Sequence, residues 1–128
     1  MNLKLDMIGL VVTDTAESLR FYKLLGIDTG DLDPNEPYVE ATLPNGLRIS
    51  WNALSMVKDH DPDWVDPIGQ RLSLAFLCES PSGVDEVYAK ILEAGFSGKR
   101  APWDAFWGQR YALVIDPDGN TVDLFAPL

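Results

Sequence analysis

The chain of 128 residues has few residues that form covalent cross-links or soft metal sites. It contains one cysteine, Cys78, and one histidine, His60. A single cysteine excludes a disulfide framework within the chain, which fits a reducing compartment. Cys78 lies in an apolar stretch and is predicted to be a small core residue rather than a nucleophile. His60 lies among aspartates and prolines, where we expect an exposed loop.

Basic residues are also scarce, since 10 of them face 20 acidic residues and the formal net charge is −10. Nucleic acids and anionic membranes require a basic surface, so we expect neither as a partner. An acidic surface concentrates cations and permits a cationic ligand, although solubility alone also accounts for it. No run approaches the ~18 apolar residues of a membrane span, and the first residues do not resemble a secretory signal. We therefore expect a cytoplasmic protein.

The chain does contain one pattern twice. Residues 38–51 and 111–124 carry Tyr, Pro and Gly in the same register, with Ile49 and Val122 three places after the glycines. Each copy predicts a strand, a tight Pro-x-Gly turn and a second strand. A chain of two similar modules tends to place its site where the modules meet.

Each copy of the repeat follows a predicted strand and helix. The first pair comprises a strand at 7–13 and a helix that Asp14 and Glu17 begin as a capping box. The second pair comprises a strand at 71–78 and a helix capped by Ser82. A short edge strand is expected within 27–37 and near 96–103. The prediction is βαβββ twice in one structural domain, with modules at 1–52 and 70–128 joined by an irregular, exposed linker at 53–69.

These segments resemble the vicinal oxygen chelate superfamily, which includes glyoxalase I, extradiol dioxygenases, and fosfomycin- and bleomycin-resistance proteins. Residues 8–14 and 18–22 look like its opening strand and helix, and residues 116–125 look like its closing hairpin. The resemblance implies an α+β fold in which two βαβββ modules form a curved, cup-shaped mixed sheet with helices on the outer face. Such a fold hosts many functions and does not by itself identify one.

Metal-dependent members resemble one another at four ligand positions, usually two histidines and two glutamates. Those positions fall near Met7, Ser50, Ser73 and Asp123 in this chain. Only Asp123 is a plausible ligand, and one carboxylate does not hold a divalent ion alone. We therefore expect no metal and no other cofactor, with an atypical divalent-metal site as the alternative.

Strand alternation sorts the side chains of the predicted cup. Val122 and Leu124, with Ile49 and Trp51 at the equivalent positions, are expected to face the helices. The opposite face then carries polar and aromatic groups that suit an organic ligand. These are Arg48, Ser50, Asn52, Thr121, Asp123 and Phe125.

The segment 102–112 is predicted to carry an aromatic loop, and strands are predicted at about 109–116 and 120–125. The segment contains Trp103, Phe106 and Trp107, and it looks like the corresponding loop of bleomycin-resistance proteins, which contributes to a ligand groove. These rings either stack on a ligand or pack a dimer interface. Arg110 either orients a ligand carboxylate or pairs with Asp104, Asp116 or Asp123. The candidate ligand-binding residues are Arg48, Ser50, Trp103, Phe106, Trp107, Arg110, Asp123 and Phe125.

Three functions remain open from the sequence. The first is a homodimeric, metal-independent protein of the bleomycin-resistance type, which sequesters a small cationic or aromatic compound and so confers antibiotic resistance. The second is a glyoxalase-like lyase, isomerase or dioxygenase that uses an atypical metal site, or acid–base chemistry by Arg110, Tyr111 and Asp123. The third is an interaction module whose aromatic loop only mediates self-association.

Overall fold

The computed structural model describes residues 1–128, which divide into two units, Met1–Asp66 and Pro67–Leu128. The first unit contains β1 (Met7–Val12), α1 (Thr15–Leu24), β2 (Tyr38–Thr42), β3 (Arg48–Ala53) and α2 (Leu54–His60). The second contains β4 (Leu74–Leu77), α3 (Pro81–Glu93), β5 (Ser97–Ala105), β6 (Gln109–Ile115) and β7 (Thr121–Pro127). The α+β class and the mixed sheets are therefore as predicted, with one open sheet in each unit.

The sheet of the first unit has three strands in the order β1-β3-β2, with β1 parallel and β2 antiparallel to β3. The edge strand expected within 27–37 is not formed, and this segment consists of turns. Asp28 accepts a hydrogen bond from the backbone N–H of Gly30, and Asp33 accepts one from that of Asn35. These local bonds compete with a strand ladder for the backbone donors.

The segment 53–69 begins with a helix, not with the predicted irregular chain. Leu54 and Val57 are spaced by one helical turn, and the Val57 side chain is buried. The carbonyl of Val57 accepts the backbone N–H of Asp61, where α2 ends. The Asp-Pro-Asp run that suggested a loop therefore follows the helix. His60 lies in the last turn of α2 and is exposed.

Helix α1 begins as predicted. The Asp14 carboxylate accepts the backbone N–H of Glu17 at 3.1 Å, which satisfies a donor that has no partner within the helix. Tyr22 of α1 and Trp51 of β3 are fully buried, with ring centroids 6.2 Å apart. Trp51 is therefore a core residue on the helix side of its strand, as expected. The apolar core of this unit consists of Val12, Leu19, Phe21, Tyr22, Ile27, Val39, Ile49, Trp51 and Val57.

The second unit has a four-stranded sheet in the order β4-β7-β6-β5, and α3 packs on β5, β6 and β7. Alternation along β7 is confirmed, because Val122 and Leu124 are buried while Asp123 is only partly covered. The longest helix, α3, has 13 residues, whereas a helix that crosses a bilayer needs about 20. The apolar core of this unit consists of Val84, Ile91, Ala105, Ala112, Val114, Val122, Leu124 and Ala126.

Three predicted boundaries in this unit were wrong. Strand β4 begins at Leu74, not at Arg71. Helix α3 is capped by Ser80, not Ser82, since the Ser80 hydroxyl accepts the backbone N–H of Gly83 at 3.1 Å. Pro81 then occupies the first helical position, where its fixed φ angle and missing N–H are tolerated. Strand β5 extends to Ala105, so Trp103 belongs to a strand and the aromatic loop is only a short turn.

Candidate functional site

Aromatic rings cover the face of the second sheet that lies opposite α3. Trp103, Tyr111 and Phe125 are paired across the adjacent strands β5, β6 and β7. Tyr111 lies at the centre, with its ring centroid 5.6 Å from that of Trp103 and 6.1 Å from that of Phe125, on which it stacks at 25°. We call the set Trp103, Trp107, Tyr111 and Phe125 the aromatic face.

The turn between β5 and β6 carries the remaining rings. Gly108 has a φ of 90°, a backbone conformation that favours glycine. The turn directs the Trp107 ring to 5.4 Å from Tyr111, and its indole N–H donates to Gln109 Oε1 at 2.8 Å. Phe106 contacts only the edge of the cluster and is 98% exposed, whereas Trp107 is 49% exposed. The Trp107 ring is therefore held against the aromatic face, whereas the Phe106 ring is almost fully exposed.

Asp123 places a carboxylate beside the aromatic face. Asp123 pairs with Leu113 across the β6–β7 hairpin, and Tyr111 is the next residue of β6 on the same face. The Tyr111 hydroxyl donates a hydrogen bond to Asp123 Oδ2. Burial, together with this bond and the negative charge of Asp123, raises the pKa of Tyr111 to about 12. Tyr111 is therefore a phenol, and thus a hydrogen-bond donor, at neutral pH.

The Tyr111–Asp123 pair predicts a pH dependence. The pKa of Tyr111 lies above the ordinary value of 10, so folding favours the protonated phenol. Its contribution to stability should be complete below pH 10 and lost as the pH rises through about 12. The measurement is the ultraviolet absorbance of tyrosinate in the native protein and in Tyr111→Phe, whose difference isolates this residue. Asp123→Asn should move the transition toward lower pH, and an unmoved transition would contradict the assigned bond.

A basic side chain of the same sheet already lies over one ring of the aromatic face. The Arg100 guanidinium carbon lies 3.6 Å from the centroid of Trp103. A cation over an indole face is held by the quadrupole of the ring. The aromatic face is thus able to hold a positive charge.

Arg110 lies on the other face of the sheet. Its guanidinium donates to Asp85 of α3 at 3.0 Å and to Asp104 at 3.1 Å. The hydrogen bond with Asp85 is the main cause that raises the pKa of Arg110. The pairing with Asp104 is one of the alternatives predicted from the sequence, whereas the contact with α3 was missed. The structure therefore separates Arg110 from the aromatic residues with which it had been grouped.

Arg48 and Ser50 belong to the first unit. Arg48 donates to Asp6 at 2.6 Å and to Glu40 at 2.7 Å, and these bonds raise its pKa while lowering that of Asp6. Ser50 is fully buried, and its hydroxyl accepts the Asn52 side-chain amide at 2.9 Å. Both candidate residues therefore already have polar partners within the first unit.

The four positions that hold metals in related proteins do not fit a divalent ion. Met7 Sδ accepts the Tyr38 hydroxyl at 3.2 Å, and Ser50 and Ser73 offer only hydroxyls. Asp123 is the one carboxylate among the four, and it already accepts a tyrosine hydrogen bond. No group of three or more His, Cys, Asp or Glu side chains is placed to hold a metal ion. These side chains therefore do not form the usual set of donors for a divalent ion.

Comparison with known proteins agrees with the fold. The family model described as the glyoxalase/bleomycin resistance protein/dioxygenase superfamily matches residues 4–124. No curated protein matches the chain significantly in sequence.

Similar solved structures include a glyoxalase/bleomycin resistance protein/dioxygenase family enzyme from Burkholderia phytofirmans, with a TM-score of 0.83 and 18% identity over 98% of this chain and 100% of that one. A glyoxalase-related enzyme from Fulvimarina pelagi has a TM-score of 0.82 and 19% identity over 96% and 87% of the two chains. A superfamily member from Sphaerobacter thermophilus has a TM-score of 0.66 and 25% identity over 98% of each chain. The chain therefore belongs to the glyoxalase/bleomycin resistance protein/dioxygenase superfamily.

Proposed function

We propose that this protein binds a small organic molecule with an aromatic and a cationic part on the aromatic face, without a metal and without changing the molecule chemically. The observation that carries the proposal is the stacked row of Trp103, Tyr111 and Phe125 with the Asp123 carboxylate beside it. Rings supply stacking area at low entropic cost, and the carboxylate selects for positive charge.

The charge of the site supports a cationic ligand. Asp123 is the acidic residue on the face beside Tyr111, and Arg100 serves as an internal example of a cation held by Trp103. A ligand cation has to compete with Arg100 for that ring or bind over Trp107 and Phe125. The net charge of −10 adds long-range attraction for cations, which decreases as the salt concentration rises.

The ionisable groups support binding rather than catalysis. Tyr111 has a raised pKa and holds its proton at neutral pH, so it is a poor general base there. Burial also raises the pKa of the Cys78 thiol, which disfavours the nucleophilic thiolate. Reversible sequestration requires neither proton transfer nor a nucleophile. A role of the bleomycin-resistance type, a homodimer and a cytoplasmic location remain predictions that accompany this proposal.

The proposal is tested by titration of the tryptophan fluorescence. The ligands are benzyltrimethylammonium, benzyl alcohol and benzoate, which share a ring and differ in charge. We expect the cation to bind at least about tenfold more tightly than benzoate, because the rings and the Asp123 carboxylate attract a positive charge and the carboxylate repels a negative one. Asp123→Asn should remove this preference, whereas Asp104→Asn, on the opposite face, should keep it. Equal responses to all three ligands, or none, would contradict the proposal.

A further inference from the structure

The second unit also contains a cavity, whose charge differs from that of the aromatic face. It is an open groove of about 450 Å³ near the beginnings of β4, β5 and β7. A volume of this size suits a small ligand. The groove is lined by Gln70, Arg71, Leu72, Ser73, Lys99 and Thr121.

Gln70 fixes the wall of this groove. Its side-chain amide donates to the carbonyl of Thr121 at 2.9 Å, and its side-chain oxygen accepts the backbone N–H of Thr121 at 2.7 Å. The same amide also donates to the carbonyl of Leu72. Residues 70–73 form no helix or strand, yet this two-way contact attaches them to the first residue of β7. Arg71 and Ser73 are therefore held at the groove by their neighbour.

The groove carries two positive charges without counter-charges. Lys99 donates to the Thr121 hydroxyl at 3.3 Å, which leaves two ammonium protons free, and Arg71 has no polar partner. Arg48 and Arg110, by contrast, each hold two carboxylates. The chain has twice as many acidic as basic residues, yet no acidic residue lines the groove.

We propose that this groove is an anion-binding site for a carboxylate or phosphate group of a small metabolite. Arg71 offers a planar set of donors that matches two oxygens of either group, and Lys99 offers a compact ammonium. The hydroxyls of Ser73 and Thr121 add neutral donors at the same place. The site differs in its residues and in its preferred charge from the aromatic face, so it does not depend on the proposed function.

The test is a titration followed by amide chemical shifts, with inorganic phosphate in one arm and succinate in the other at constant ionic strength. The backbone amide of Thr121 reports directly on the groove, because its N–H donates a hydrogen bond to the Gln70 side chain. We expect saturable shifts confined to residues 70–73, 99 and 121 in at least one arm. The arm with the lower dissociation constant identifies phosphate or carboxylate as the preferred group.

Variants with neutral side chains distinguish a specific anion site from general attraction by surface charge. Arg71→Gln together with Lys99→Gln should raise the dissociation constant by at least about tenfold, as expected for the loss of charge-assisted hydrogen bonds. Lys90→Gln removes one positive charge on α3, outside the groove. It should leave the dissociation constant of the anion unchanged. Shifts spread over all basic residues, an equal effect of Lys90→Gln, or no saturation by either anion would overturn the proposal.

Discussion

Replacement of Trp51 by alanine is expected to lower the free energy of unfolding by about 3–5 kcal/mol. Trp51 is fully buried in β3, and its ring meets that of Tyr22 in α1. Alanine would remove the contact between the Trp51 and Tyr22 rings and leave a cavity that the neighbours fill only in part. The measurement is urea unfolding at equilibrium, followed by far-ultraviolet circular dichroism.

Two further variants control this experiment. Trp51→Phe should cost much less than Trp51→Ala, because it retains a ring and because the Trp51 indole N–H has no hydrogen-bond partner to lose within the protein. Trp107→Ala removes the same side chain from an exposed turn and should change stability by less than about 1 kcal/mol. Equal losses for Trp51→Ala and Trp107→Ala would contradict the assignment of Trp51 to the core.

Replacement of Trp103 by alanine is expected to weaken the binding of benzyltrimethylammonium by about tenfold or more. Trp103 contacts Trp107 and Tyr111, and it offers the ring that already holds Arg100. Its removal takes away both a stacking surface and the ring over which the Arg100 guanidinium lies. The measurement is the dissociation constant from calorimetric titration, because the substitution alters the fluorescence signal itself.

Trp64 provides the matched control for Trp103. It lies between α2 and β4, and its indole N–H bonds only to Asp66, two residues along the chain. Trp64→Ala should therefore leave the affinity for the cation unchanged. An alternative account holds that the aromatic face only mediates self-association. Unchanged cation binding in Trp103→Ala, together with conversion of a dimer to a monomer, would favour that account and contradict ours.

The repeated strand-turn-strand pattern predicted the parts of the fold that depend on local order. Burial of one face of a sheet imposes a period of two on the side chains, so Val122 and Leu124 were placed correctly on the helix side. The glycines of both turns, Gly46 and Gly119, adopt φ angles near 90° as the Pro-x-Gly pattern requires. The resemblance to the superfamily rests on these same features, and the family model over residues 4–124 confirms it.

The grouping of the candidate side chains was predicted only in part. Trp103, Trp107, Asp123 and Phe125 do meet on one face, but Arg110 does not. The sequence interpretation placed the tryptophans in a loop and grouped Arg110 with them, although it predicted the next strand from about residue 109. Once β6 is known to begin at Gln109, alternation places Tyr111 on the aromatic face and its neighbour Arg110 on the other.

The anion groove could not be predicted from local patterns. Its wall depends on the contact between Gln70 and Thr121, which are separated by 51 residues. Thr121 lies within the closing hairpin motif, but Gln70 and Arg71 lie in a segment without regular structure. The register of β4 beside β7 brings them together, because Leu74 pairs with Val122 immediately beyond the groove.

Metal-free binding of an organic cation is tested most directly by calorimetric titration of benzyltrimethylammonium into the protein before and after treatment with a chelator, with the metal content of both samples measured. We predict one ligand per chain and the same affinity in both samples, whatever metal the untreated sample contains. Loss of binding after chelation, with recovery on addition of a divalent ion, would contradict the account and favour a metal-dependent enzyme of the same superfamily.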